Sequence, residues 1–164
     1  MEDNTPELTK DQIHEALSAT SVELHYMFWN VPREVQLRRP TPDAWCPLEI
    51  LIHLRLVGDV YASRVKRIVT RDEGEEIPYM HNFDEYRQMK VVDLDEETVK
   101  YNIGQFMQSR SKLLSHISFL EADEWDTLKG MHEVDGEISL RQLLIPLVKR
   151  EQKQLATLKE LIII

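Results

Sequence analysis

Four long stretches of this chain repeat apolar side chains at helical spacing, and no stretch of any length alternates apolar with polar residues. Together these features disfavour sheet folds, because a half-buried strand needs alternation and its hairpins need turn signals. Only five glycines punctuate the 164 residues. An all-α fold in one domain, 1–164, is expected, and that length can bury a full core.

The first helix should start at Thr9, where "TKDQ" reads as a capping box with Gln12 reaching back. Its stripe is Ile13, Leu17, Leu24, Met27 and Phe28, and it should end before Pro32. The linker "NVPREVQLRRPTPDAWCP" holds four prolines and cannot be helical throughout. Pro47 suits a first turn and opens a second helix that runs to about Thr70. A connection, "RDEGEEIPYMHNFDEYRQMKVVDL", follows, with a short helix expected around Phe83 to Met89. The third helix should begin at Asp93 or Asp95, both good caps. Its stripe is Val99, Ile103, Phe106, Arg110, Leu113, Leu114, Ile117 and Leu120. The segment "EADEWDTLKGMHEVDGEI" reads as a turn, and "SLRQ" starts the fourth helix at Ser139 with a second capping box. Four amphipathic helices predict a four-helix bundle. The long second connection can cross the bundle end to end, so the second and third helices are expected to run parallel.

The net charge is −9, with acidic residues spread along the chain, which argues against a nucleic-acid surface. No apolar run approaches a membrane span, the N-terminal "MEDNTPELTKDQ" is too polar for a secretory signal, and the closing "LIII" reads as the last turn of a helix. Cys46 is the only cysteine, so no disulfide forms within the chain, and a cytoplasmic location is the simplest expectation.

The inward faces carry unexpected polar groups. His53 lies about 60° from the stripe of the second helix, still on its core side, at about 100° per residue. A lone histidine there is ordinarily a neutral core residue bonded to a neighbour. The fourth helix has the stripe Leu140, Leu143, Leu144, Leu147, Leu155, Leu158 and Ile162. Glu151 falls near the centre of that stripe, and Arg150 and Gln154, four residues apart, share one flank. A buried charge needs a partner; Glu151, Glu49 or Asp59 could serve Arg150. The cluster is either an arginine snorkelling at the bundle rim or a polar pocket in the core formed by His53, Arg150, Gln154 and Glu151. Pro146, one turn earlier, should kink the helix.

"PTPDAWCPLEILIHL", "YASRVKRIV" and "GEISLRQLLIPLVKREQKQLATLKEL" resemble, in order and spacing, the DinB-like superfamily of bacterial four-helix bundles. Trp45, the pair His53–Leu54 and the start of the fourth helix at Gly136 to Arg141 carry the likeness, which extends over about Ile13 to Leu161. The resemblance implies an up-down-down-up bundle, frequent dimers and a divalent metal, often nickel or zinc, held by three histidines. One lies on the second helix and two form a His-x-x-x-His pair on the fourth. Some members are thiol S-transferases in which the metal would activate a thiolate. Here His53 matches the first ligand, but the pair falls on Arg150 and Gln154. A guanidinium cannot ligate a cation, and an amide is a poor ligand for these metals. The expectation is a bundle without the family's metal site or any other cofactor, its vacated pocket taking a small ligand, for instance a carboxylate held by Arg150, or serving assembly. The alternative is a divalent-metal enzyme, a thiol S-transferase or hydrolase, with an altered ligand set such as His53, Glu151 and His25.

Other candidates are plainer. His132 reads as an exposed or capping loop residue, and His81 and His116 have no visible partners. Cys46, at a helix start, could favour a thiolate or simply pack. Ile52, Leu56 and Ile145 look like extra apolar residues outside the stripes and suggest a homodimer.

Overall fold

The computed structural model describes residues 7–162. The polar start of the N-terminal segment and the last two residues of "LIII" lie outside them. Helix α1 spans Lys10–Met27, α2 Arg33–Gln36, α3 Pro47–Val69, α4 Glu85–Lys90, α5 Val99–Ile117, α6 Glu124–Thr127 and α7 Leu140–Ile162. Strands β1 (Tyr79–Met80), β2 (Lys129–His132) and β3 (Gly136–Ser139) make a small sheet.

Local signals set the long helices. Thr9 and Gln12 exchange the two capping-box hydrogen bonds at 3.2 and 2.9 Å. Ser139 and Gln142 do the same before α7, at 3.1 and 2.8 Å. Pro47 occupies the first turn of α3, whose preceding N–H at Cys46 is taken up by Glu49 at 3.1 Å. One boundary differs. Asp93 caps only a 3-10 turn at Leu94–Glu96, and α5 starts after Thr98, whose hydroxyl accepts from Tyr101 N–H at 3.1 Å. Pro146 sits on the exposed face of α7, which continues through it as one helix.

The bundle is up-down-down-up. Arg55 Nε donates to Asn102 Oδ1 at 2.6 Å, and one turn onward Gly58 lies against Phe106, so α3 and α5 are parallel. His14 meets Ser118 while Leu17 meets Arg110, which makes α1 and α5 antiparallel. His53 meets Gln154 while Ile50 lies near Thr157 and Leu161, which makes α3 and α7 antiparallel. It follows that α1 and α7, also in contact, run the same way. The crossover between α3 and α5, with β1 and α4, carries the chain back the length of the bundle.

The sheet is what helical periodicity missed. The expected turn holds α6 and a hairpin in which Gly130 pairs with Ile138, while β1 adds in parallel, Tyr79 opposite Met131. Strands of two and four residues are too short to show alternation. Gly136 takes φ +77° to close the hairpin. At Gly130 an added Cβ would come within 2.8 Å of Met80 Cε, so the Met80 side chain would have to shift to admit one.

Two apolar clusters fill the interior. One, toward the hairpin, gathers Leu17, Leu113, Trp125 and Leu144; the other, toward the start of α3, gathers Leu24, Ile52, Phe106 and Leu158. Of the residues that suggested a homodimer face, Ile52 is fully buried, and Leu56 and Ile145 are half-buried and pack against these clusters. Met89, Val92 and Leu94 of the crossover join the cluster that holds Ile52. Among the described residues no helix is long and apolar enough to cross a membrane.

Candidate functional site

The polar residues of α3 and α7 do turn inward, but they form two centres. Between the apolar clusters, Glu151 Oε1 accepts from Arg110 Nη1 at 2.8 Å and from Thr20 Oγ1 at 2.9 Å, and its Oε2 takes Arg110 Nη2. Arg110 Nη1 also reaches the Leu17 carbonyl at 2.9 Å, and its guanidinium stacks on Phe106. Both charged side chains are 2% exposed. Glu151 is therefore committed to α5 and α1, and not to Arg150 or to the pocket beside His53. Each residue could be read onto an inward stripe, but their meeting depends on the register between α5 and α7, which one sequence does not display.

The second centre is an open pocket of about 810 Å³ near the start of α3. His53, Arg150 and Gln154 line it as expected, joined by Trp45 from the linker and by Glu85 and Tyr86 from α4. His53 is buried; its Nδ1 lies 2.7 Å from Gln154 Nε2, and the Trp45 ring packs 4.9 Å from its own. Its Nε2 faces Glu85 Oε2 at 3.3 Å without hydrogen-bond alignment. Glu85 Oε2 also accepts from Arg150 Nη1 at 2.5 Å. The other candidate partners of Arg150 are engaged elsewhere: Glu49 with Arg39, and Asp59 with Arg55 at 4.0 Å.

Electrostatics orients this chain of groups. Burial lowers the pKa of His53, with Glu85 pulling the other way, so the imidazole is neutral at neutral pH. A proton on Nε2 faces the Glu85 carboxylate, which leaves Nδ1 to accept from the Gln154 amide. The opposite tautomer would set a lone pair against that carboxylate and turn the Gln154 amide around. The charge of Glu85 thus favours the tautomer with the proton on Nε2.

Two side chains able to ligate a metal, His53 and Glu85, converge here, and the third polar group is a guanidinium that holds the same carboxylate oxygen. Among the described residues no three His, Cys, Asp or Glu side chains come together. These residues do not fit a catalytic site of three protein ligands around a cation. His25 is exposed beside Tyr26 and Trp29, away from His53. His81 is exposed, and His116 lines a groove between α3 and α5. His132 is a capping residue as expected, but a buried one: its Nδ1 accepts from Val134 and Asp135 N–H at 3.1 Å each. Burial pushes the Cys46 thiol up, so it packs as a small apolar group. Glu85 was missed because it belongs to the crossover, where no periodicity points it anywhere.

No protein-family model matches the sequence, and a search of curated proteins gives no match. Among solved structures the chain is similar to YfiT from Bacillus subtilis, described as a probable metal-dependent hydrolase with an unusual four-helix bundle topology. The two share 18% identity at a TM-score of 0.79, over 98% of this chain and 90% of that one. By architecture, then, this chain has the YfiT fold, the up-down-down-up bundle that its sequence resemblance implies.

Proposed function

We propose that this chain is a bundle of the YfiT fold whose pocket binds a small apolar carboxylate and does not work through the three-histidine metal site of DinB-like proteins. The observation that carries the reading is Arg150 beside His53. Only its Nη1 is hydrogen-bonded among the described residues, and the side chain lines the pocket at 39% exposure, so two nitrogens are left for a ligand. Lys153 stands on the same lip, and Trp45, Ile50 and Leu161 offer apolar walls. Arginine suits bidentate carboxylate recognition. Glu85 is the protein's own carboxylate on that guanidinium, and Asp43 at the rim opposes more than one further negative charge. Calorimetric titration with benzoate and short-chain fatty acids should give saturable binding that Arg150→Leu removes. Equal binding by that variant refutes the reading.

The alternative, a nickel- or zinc-dependent enzyme of the hydrolase or thiol S-transferase type, is favoured by one feature. His53 Nε2 is a buried nitrogen without a hydrogen-bond partner, aimed at a carboxylate. Elemental analysis of protein made without a polyhistidine tag separates the two. Stoichiometric metal that disappears in His53→Ala supports the enzyme; metal-free protein supports the carboxylate pocket.

A further inference from the structure

Away from this pocket, Arg64 of α3 presents an unusual case. Its side chain is buried to 9% exposure, yet among the described residues no carboxylate lies within ion-pair distance. Its one hydrogen bond runs from Nη2 to the His81 carbonyl at 2.7 Å, and Tyr61 offers its ring face at 5.4 Å. The nearby acids are occupied: Asp59 faces Arg55, and Glu133 accepts from Asn82 N–H at 2.7 Å. A buried charge without a counter-charge is costly, and burial depresses the basicity of this guanidinium. Arg64 lines a groove of about 390 Å³ between α3 and the crossover, together with Asp59, Ser63, Arg67, Asn82 and Phe83. Arg67, one turn along the same face, is exposed there.

We propose that this groove is a binding site for a small oxyanion, a phosphate or carboxylate group, gripped by Arg64 from below and by Arg67 from the rim. The fork of Arg64 has one arm anchored on His81 and so is held in place for such an anion. The groove shares no lining residue with the pocket that holds Arg150 and does not depend on the function proposed above.

Calorimetry or phosphorus NMR on the full chain, with inorganic phosphate and acetate at matched ionic strength, tests it. Saturable binding of either anion is expected; binding by phosphate alone assigns a phosphoryl ligand, and binding by both assigns a general oxyanion site. Arg64→Met should weaken binding about tenfold or more, as for loss of hydrogen bonds to a charged group. Arg67→Ala alters only an exposed residue and should weaken binding severalfold with the melting temperature unchanged. Arg150→Leu should leave phosphate binding intact, and acetate is titrated in that variant, so that this site is read apart from the His53 pocket. The proposal is overturned if neither anion binds saturably to the Arg150→Leu variant, or if Arg64→Met or Arg67→Ala binds phosphate like the wild type.

Discussion

Glu151→Ala is the most severe single change this structure implies outside the apolar core. It removes both oxygens that Arg110 holds and leaves a guanidinium 2% exposed with only the Leu17 carbonyl. Breaking a buried pair from one side costs about 3–5 kcal/mol. At roughly 2–4 °C per kcal/mol for a chain of this size, the melting temperature should fall by about 6–20 °C. Arg110→Met with Glu151→Leu removes both charges together. Thr20 keeps its bond to the Ala16 carbonyl at 3.2 Å, so no hydroxyl is orphaned. That double variant should lie between wild-type stability and about 4 kcal/mol above it. Urea denaturation followed by circular dichroism, on both single variants and the double, closes a double-mutant cycle. The reasoning fails if Glu151→Ala lies within about 0.5 kcal/mol of the wild type, as a surface change would. It fails equally if the two single losses simply add in the double.

Two further expectations come from buried residues. His53 has its pKa depressed below the ordinary 6.5 by burial, so the unfolded chain binds the proton more readily than the folded one. Stability should be fully present above about pH 6.5 and decline as the pH falls below it. His53→Gln should flatten that slope, and identical slopes in the two proteins would count against a buried neutral imidazole. Gly130→Ala would set a methyl 2.8 Å from Met80 Cε and 3.2 Å from Ile68 Cδ1. Overpacking of this kind costs about 1–3 kcal/mol; thermal denaturation that shows no loss would mean that Met80 is free to swing aside.

What was legible in the sequence was local or periodic. The caps at Thr9 and Ser139, the proline at 47 and the stripes of four helices are written in neighbouring residues, and the structure keeps them. The parallel α3 and α5 followed from the length of a connection. Contacts between distant segments were not legible. Arg110 and Glu151 each lay on an inward stripe, but nothing local says that they share a level. Ile52 seemed to face outward because the stripe was drawn for helix neighbours alone, whereas it is buried in a cluster that also takes in Met89 and Val92 of the crossover. Glu85 reaches His53 from a six-residue helix whose placement depends on tertiary packing.

The pocket is built from two kinds of wall. His53, Gln154 and Arg150 stand on 23-residue helices rooted in the core, while Glu85 and Tyr86 hang from α4, where Met89 is the one buried residue. Exchanging positions 85 and 86 therefore disturbs no core packing, yet it changes the charge and shape that an incoming molecule meets. Descendants of this chain could drift in ligand preference through a few crossover codons while the bundle stays under purifying selection. A library confined to those two positions would sample much of that diversity while leaving the apolar core untouched.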